Sequence, residues 1–300
     1  MALPERAQRV VDAYFESVDR EAPGLVEGLY LTGSVALGEF RPQTSDIDFV
    51  AVTAAPPDSS ALAALSRVHR RLHERYARPF FDGRYVTWDE LARDPRAVQP
   101  GPYSYEGRFH ARGAGDCDPV AWHTIADHGV CCRGPSPAGL AIWTDAAALR
   151  SWTLDNLESY WRPLVGSARR YAGLWGLTSF TSYGAVWITL GVCRLHYTLE
   201  TGKIASKEAA GCYALRMFPD RWHRVLNEAL RIRRADRARA DVTSACTEIM
   251  ADLRVRRTAD EGSLYSSPWA RRREVLAFAE MVIADARDRF GGLARVASHA

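Results

Sequence analysis

Leu31-Thr-Gly-Ser-Val-Ala-Leu-Gly38 is followed, after a polar loop, by Ser45-Asp-Ile-Asp-Phe-Val50. The first stretch is an apolar run ending in Gly33-Ser34, then residues that can open a helix. The second reads as a strand with Asp46 and Asp48 at alternate positions, which points both carboxylates to one face. Two acids on one face repel and are poorly solvated unless a cation sits between them. A hard divalent cation such as Mg²⁺, held by a few carboxylates plus substrate phosphates, would satisfy them. Backbone N–H groups just after Gly33, where a helix begins, offer a seat for an anion. A phosphate seat beside a metal seat predicts chemistry on a nucleoside triphosphate. Taken alone, an acid pair of this kind reads first as an Asx-rich loop entering a strand, with Asp46 as its cap. The Gly-Ser element upstream turns the reading.

Strand, Gly-Ser turn, spacer and paired acids together resemble the signature of the nucleotidyltransferase superfamily with the polymerase-β-like fold. The flanking sequence is read in the same order. Pro4 to about Ala22 is an amphipathic helix with Val10, Val11, Tyr14, Phe15 and Val18 on one side. Leu25–Thr32 is the first strand, Ser45–Thr53 the second, and Ser60–Ala77 a helix stopped by Arg78-Pro79. Phe80–Thr87 is a third strand. Asp89 to about Gly115 reads as irregular, Val120–His128 as a short helix, and Val130–Cys132 as one more strand. Alternating strands and helices build an N-terminal α/β-type domain over residues 1–138.

Pro135-Ser-Pro-Ala-Gly139 reads as the linker. Beyond it the period is helical throughout. Candidate helices are Asp145–Arg162, Arg169–Thr201 (interrupted at Gly176 or Gly184), Ser206–Met217, Asp220–Arg233, Ala238–Arg256 and Pro268–Phe290, with Gly291–Ala300 as a frayed tail. The fold class is therefore α+β: a mixed sheet flanked by helices, then an all-α bundle over residues 139–300.

At 300 residues, each of two domains can bury a core. A hydrophobic content of 47% with 25% charged residues is that of a soluble globular chain. A net charge of +3 argues against a nucleic-acid or membrane-surface partner. None of Cys117, Cys131, Cys132, Cys193, Cys212 and Cys246 forms a C-x-x-C pair, so neither a zinc site nor a redox motif is supported. The N-terminal residues lack an apolar signal core and no apolar run can span a bilayer. A cytoplasmic, reduced, monomeric protein is expected.

Two-metal nucleotidyl transfer asks for a third acid on the same face, to complete the metal shell and take a proton from the attacking hydroxyl. Asp82 sits in the third strand among Phe80, Phe81, Tyr85 and Val86. It either fills this role or begins a turn with Gly83. Asp89 and Glu106 are held in reserve.

The C-terminal half carries a second resemblance. Arg194-Leu-His-Tyr-Thr-Leu-Glu-Thr-Gly-Lys-Ile-Ala-Ser-Lys-Glu-Ala-Ala210 resembles the helical-domain signature of the aminoglycoside 3''/9-adenylyltransferases, the streptomycin- and spectinomycin-modifying enzymes. With the N-terminal motif, the likeness runs from about Val26 to Arg233. It implies a two-domain enzyme that binds ATP with Mg²⁺, two ions in all, in a cleft between the domains. It would transfer AMP to a hydroxyl of a small acceptor and release pyrophosphate. Carried over, Asp46 and Asp48 match the metal-binding acids, and Asp82 falls where the family has its catalytic base and completes the metal set. Gly33 and Ser34 match the phosphate-contacting turn, and Ser45 precedes the acids as in the family. Lys207 matches the lysine that reaches the triphosphate.

Lys207 also stands on its own residues: Thr201-Gly202 reads as a helix end and Ser206 as the N-cap of the next helix, whose N-terminus favours anions. Arg194 is a second phosphate partner or a structural ion pair. One departure concerns the acceptor. The family's drug-holding aspartate has no counterpart, because Leu174–Arg194 contains no carboxylate; Tyr183-Gly184 lies near its place, with Trp175 and Trp187 nearby. These aromatics are core or ligand platform. The acceptor is then aminoglycoside- or aminocyclitol-like, or a less cationic hydroxyl compound. Competing readings are transfer to a macromolecule such as tRNA or protein, and a non-catalytic nucleotide sensor. The basic runs Arg231–Arg234, Arg254–Thr258 and Arg271–Arg273 read as solvated helix faces.

Overall fold

The computed structural model describes residues 3–42, 44–113, 115, 117–170, 173–235 and 262–297. Its contacts gather into two units, Met1–Asp145 and Ala146–Ala300.

In the first unit the strands are β1 (Gly28–Leu31), β2 (Ile47–Thr53), β3 (Phe81–Thr87), β4 (Gly101–Tyr105), β5 (Arg108–Gly113) and β6 (Val130–Arg133). The helices are α1 (Glu5–Glu21), α2 (Gly33–Ala36), α3 (Ser59–Arg75), α4 (Trp88–Leu91) and α5 (Pro119–His128). The six strands form one mixed sheet, ordered β5-β4-β3-β2-β1-β6. Only β2 and β3 run parallel, and α3 is the crossover that a parallel pair needs. Asp58 starts α3 by accepting a hydrogen bond from the Ala61 N–H at 2.8 Å.

Strand alternation gives the sheet two apolar faces. On one, Ile47, Phe49, Ala51, Phe81 and Tyr85 pack with Val10, Val11, Tyr14 and Val18 of α1 and Leu65, Val68 and Leu72 of α3. On the other, Tyr30, Val50, Val52 and Val86 meet Leu91 of α4 and Trp122 and Ile125 of α5. Asp48 and Asp82 alternate with the first set, so they belong to the second face. Behind β3, the Tyr85 hydroxyl bonds to Tyr14 Oη and to His69 Nε2, both at 2.8 Å. Burial pushes His69 down to about 3, so it is neutral here.

The stretch from Asp89 to Gly115 is not irregular. It holds the end of α4, a 3₁₀ turn at Pro95–Ala97, and the β4–β5 hairpin. Pro and Gly at the start of β4 and an exposed, polar β5 hide the alternation. The hairpin loop is Glu106-Gly107, with left-handed φ of 49° and 73°. A two-residue primed turn needs such angles, and Glu in the first position is a weak signal for one.

The second unit is helical: α6 (Ala146–Asn156), α7 (Arg162–Arg169), α8 (Leu174–Thr178), α9 (Ser182–Thr201), α10 (Lys207–Met217), α11 (His223–Ala235) and α12 (Pro268–Ala297). A π-type stretch, Leu157–Trp161, joins α6 to α7. Pro163 cannot donate to the preceding turn, which fits a local change of helical period. The long helix expected over Arg169–Thr201 breaks between the two candidate glycines, where Thr181 caps α9 by accepting from the Gly184 N–H at 2.9 Å. α9 packs against α6, α10, α11 and α12, around Trp161, Ile188, Val192, Leu226, Phe278 and Val282. α12 continues through Gly291-Gly292 to Ala297, where a frayed tail was expected. The helix expected at 238–256 and the basic run at 254–258 lie outside the described residues.

Two basic runs are solvated faces only in part, at Arg234 and Arg273. Arg233, Arg271 and Arg272 are buried. Arg271 Nη2 donates to the Phe180 carbonyl at 2.8 Å, and Arg272 Nη2 to the Ala168 carbonyl at 2.5 Å. The guanidinium groups of Arg271 and Arg272 satisfy carbonyls left open around the ends of α7 and α8, a need that charge pattern alone does not reveal.

Candidate active site

Chain direction changes sharply where β1 ends. The Thr32 N–H still donates to the Asp48 carbonyl at 2.8 Å, and the next residue, Gly33, turns left-handed at φ 55°. A β-carbon there would also run into the Asp48 side chain. Glycine is thus required twice, for its dihedral and for its missing side chain. α2 starts at once, and it buries Val35. The Ser34 hydroxyl oxygen beside it is buried and has no hydrogen-bond partner among the described residues. A buried hydroxyl with no partner is uncommon and points to a group that would complete it.

The parallel register sets Asp48 directly beside Asp82, on neighbouring strands that run about 4.8 Å apart. Asp46 lies one residue before β2, half-buried like Asp48, while Ile47 and Phe49 are fully buried. The negative charge of Asp46 is felt at Asp82. The register thus sets two of the acids singled out from the sequence side by side, with the third close enough for its charge to act on Asp82.

Asp82 is in the strand, not in a turn. Gly83 follows it because a side chain there would strike the Phe49 carbonyl, 2.0 Å from where a β-carbon would stand. The Asp82 carboxylate accepts from the backbone N–H groups of Glu106 at 2.8 Å and Gly107 at 3.3 Å. It is 8% exposed. Burial pushes it up to about 7; the two N–H donors oppose this, and the charges of Asp46 and Glu106 add to it. A carboxyl poised near neutrality can accept and return a proton.

The reserves fall out differently. Asp89 is in α4, past the far end of β3, exposed and paired with Arg93 at 3.0 Å. Glu106 is in the hairpin loop, and its backbone N–H donates to Asp82. Tyr103-Ser-Tyr-Glu106 is therefore the strand and turn that hold the third acid.

Arg78 was read only as part of a helix stop. Its Nη1 lies 3.0 Å from Asp46 Oδ1, and its guanidinium carbon is 3.8 Å from the centre of the Phe80 ring. A lone Arg before Pro carries no signal of this contact. Ser45 closes the loop ahead of the acids: its Oγ accepts from the Arg41 N–H at 3.1 Å.

The donor set suits a hard cation. It consists of carboxylate oxygens next to an unpartnered hydroxyl and a side-chain-free bend, the chemistry that Mg²⁺ with a phosphate would use. Among the described residues no three His, Cys, Asp or Glu side chains are already gathered for a metal ion. Asp46 faces Arg78, and Asp82 faces the hairpin turn.

In the helical unit, Gly202 ends α9 in the left-handed region, and Ser206 caps α10 by accepting from the Ala209 N–H at 3.1 Å. Lys207 is thus the first residue of α10. Arg194 Nε donates to the Ala205 carbonyl at 3.0 Å, just ahead of that N-terminus. The Trp175 and Trp187 rings stack 5.0 Å apart and within 5° of parallel; Tyr183 stacks on Trp187 at 6.4 Å. Tyr183 is 51% exposed and the two Trp are half-buried.

Two family models match the chain, one within each unit. The family model for the nucleotidyltransferase domain matches residues 11–88. That for the C-terminal domain of aminoglycoside adenylyltransferase matches residues 171–253. No curated protein matches the chain by sequence. Among solved structures, the chain is similar to spectinomycin adenyltransferase AAD(9) from Enterococcus faecialis, a crystal structure with ATP and spectinomycin. The TM-score is 0.58 at 12% identity, covering 91% of this chain and 99% of the other, which is a likeness of fold. Both domain models, in this order on one chain, identify an enzyme of the nucleotidyltransferase type that belongs to the aminoglycoside adenylyltransferase family.

Proposed function

We propose that this chain transfers AMP from ATP to a hydroxyl of a small acceptor and releases pyrophosphate. The observation that carries the reading is Asp48 set beside Asp82 on a parallel strand pair, against the Gly33-Ser34 bend, with the charge of Asp46 acting on Asp82. The structural neighbour's ATP and spectinomycin support it.

Asp46, Asp48 and Asp82 would hold Mg²⁺, two ions in the full complex. When bound with the triphosphate, Mg²⁺ neutralises charge and lowers the pKa of the attacking hydroxyl. Ser34 donates its hydroxyl to a phosphate oxygen. Gly33 lets the phosphate approach the backbone, and Ser45 keeps the loop that presents Asp46. Asp82 takes the proton of the acceptor hydroxyl. The acceptor oxygen bonds to the α-phosphorus in line, the bond from that phosphorus to the β-bridging oxygen breaks, and pyrophosphate leaves. Lys207 and Arg194 offset the charge of the triphosphate and of the leaving group.

The acceptor is an aminocyclitol-like or less cationic hydroxyl compound, because Leu174–Arg194 brings aromatic rings and no carboxylate. The enzyme acts as a cytoplasmic monomer. No described helix is long and apolar enough to cross a membrane.

Pyrophosphate release from Mg-ATP tests the reading, across aminoglycosides, spectinomycin, unrelated hydroxylated metabolites, RNA and protein. Release with a small acceptor is expected. Release with RNA or protein alone, or ATP binding with no release on any acceptor, overturns it.

A further inference from the structure

We propose that Arg78 is a built-in counter-ion of the acidic face, holding Asp46 until a divalent cation takes its place. The inference rests on the reading of Asp46 as a metal ligand. Three contacts fix Arg78. Its Nη1 sits 3.0 Å from Asp46 Oδ1. Its guanidinium lies over the Phe80 ring at 3.8 Å, within the range of a cation–π contact. Its carbonyl accepts from Arg6 Nη2 at 2.7 Å, which ties this loop to α1.

The pairing has the strength an exchange requires. The two side chains are 47% and 38% exposed, and ion pairs at such exposure are weak. A buried pair would resist a cation; this one yields to it. Without a cation the positive guanidinium relieves the repulsion among Asp46, Asp48 and Asp82. When a divalent ion binds Asp46, like charge drives Arg78 off the carboxylate, while the Phe80 ring offers it a resting place. The protein thus avoids a bare acidic cluster, and in exchange its metal affinity is lowered by the competitor it carries. Phe80 and Arg78 are neighbours of Asp82 in the sequence, so the same loop delivers the third acid and the counter-ion.

Manganese binding to the full chain without nucleotide tests this, read as loss of the free-ion electron paramagnetic resonance signal. The proteins are wild type, Arg78→Gln, Arg78→Lys, Asp46→Asn and the double variant Asp46→Asn/Arg78→Gln, with thermal melts as fold controls. Arg78→Gln is expected to bind Mn²⁺ about two- to fivefold more tightly, the range an exposed ion pair allows. Arg78→Lys keeps the charge but loses the planar stack on Phe80, so its affinity should fall between those of wild type and Arg78→Gln. In the Asp46→Asn background the gain should vanish. A residue that merely shapes the loop would weaken binding when replaced, or leave it unchanged, and either result overturns the exchange. A gain that persists without Asp46 overturns it too. If wild type binds no Mn²⁺ even with ATP, the metal reading itself falls, and the exchange falls with it.

Discussion

The backbone of Gly33 rests against the carboxylate of Asp48: a β-carbon at Gly33 would stand 1.8 Å from Asp48 Oδ2. The bend after β1 and the acid on β2 are thus one unit. Gly33→Ala must move one of them and force a left-handed dihedral on alanine. Turnover should fall at least about 100-fold, with a melting temperature lowered by several degrees for a cost of about 1–3 kcal/mol. Pyrophosphate release and thermal unfolding check both halves of the claim.

Asp46→Asn and Asp48→Asn should each abolish transfer and leave the fold intact, because both side chains lie at the edge of the apolar core. Circular dichroism and turnover are the measurements. Undiminished turnover in either variant ends the mechanism.

Ser34→Ala separates structure from binding. The hydroxyl has no partner among the described residues, so removing it should leave stability unchanged or slightly raised. If it bonds a charged phosphate, KM for ATP should rise about tenfold or more, from the roughly 1.5–3 kcal/mol of such a bond. A lowered melting point with unchanged KM would count against the phosphate contact.

Asp82 gives a pH signature. Its folded value of about 7 lies above the ordinary 3.8, so the native state binds the extra proton between these values. The stability this supplies is whole below about pH 4 and is lost as pH rises through 7. Asp82→Asn removes that loss. In EDTA the variant should be more stable than wild type at about pH 8, on the order of 2 kcal/mol. That is half of what a three-unit shift would give, since Asn is the poorer acceptor for the two N–H donors. The advantage should disappear below about pH 5. Parallel melting curves across this range would contradict the burial of a charged Asp82.

Arg272→Met tests the buried arginines of the helical unit. It leaves the Ala168 carbonyl and the Ser179 hydroxyl without the guanidinium they now share. A loss of about 2–4 kcal/mol is expected in denaturant unfolding, where a solvated surface arginine would cost almost nothing.

Local structure was readable in the residues themselves. Gly33-Ser34, the alternation of Asp46 and Asp48, the Gly202 stop and the Ser206 cap are short-range features, set by dihedral preference and strand or helix period. So were the two-part architecture and the apolar faces of α1 and α3. What only the tertiary structure decided depends on pieces far apart in the chain. Asp82 is set beside Asp48 by strand register and is held by a hairpin turn beyond it in sequence. Arg78 meets Asp46, and Arg271 and Arg272 are internal donors, because packing brought them to a carboxylate and to open carbonyls. Periodicity reports which face of an element is apolar. It does not report which charge another element will set against that face, since that contact exists only once the chain has folded.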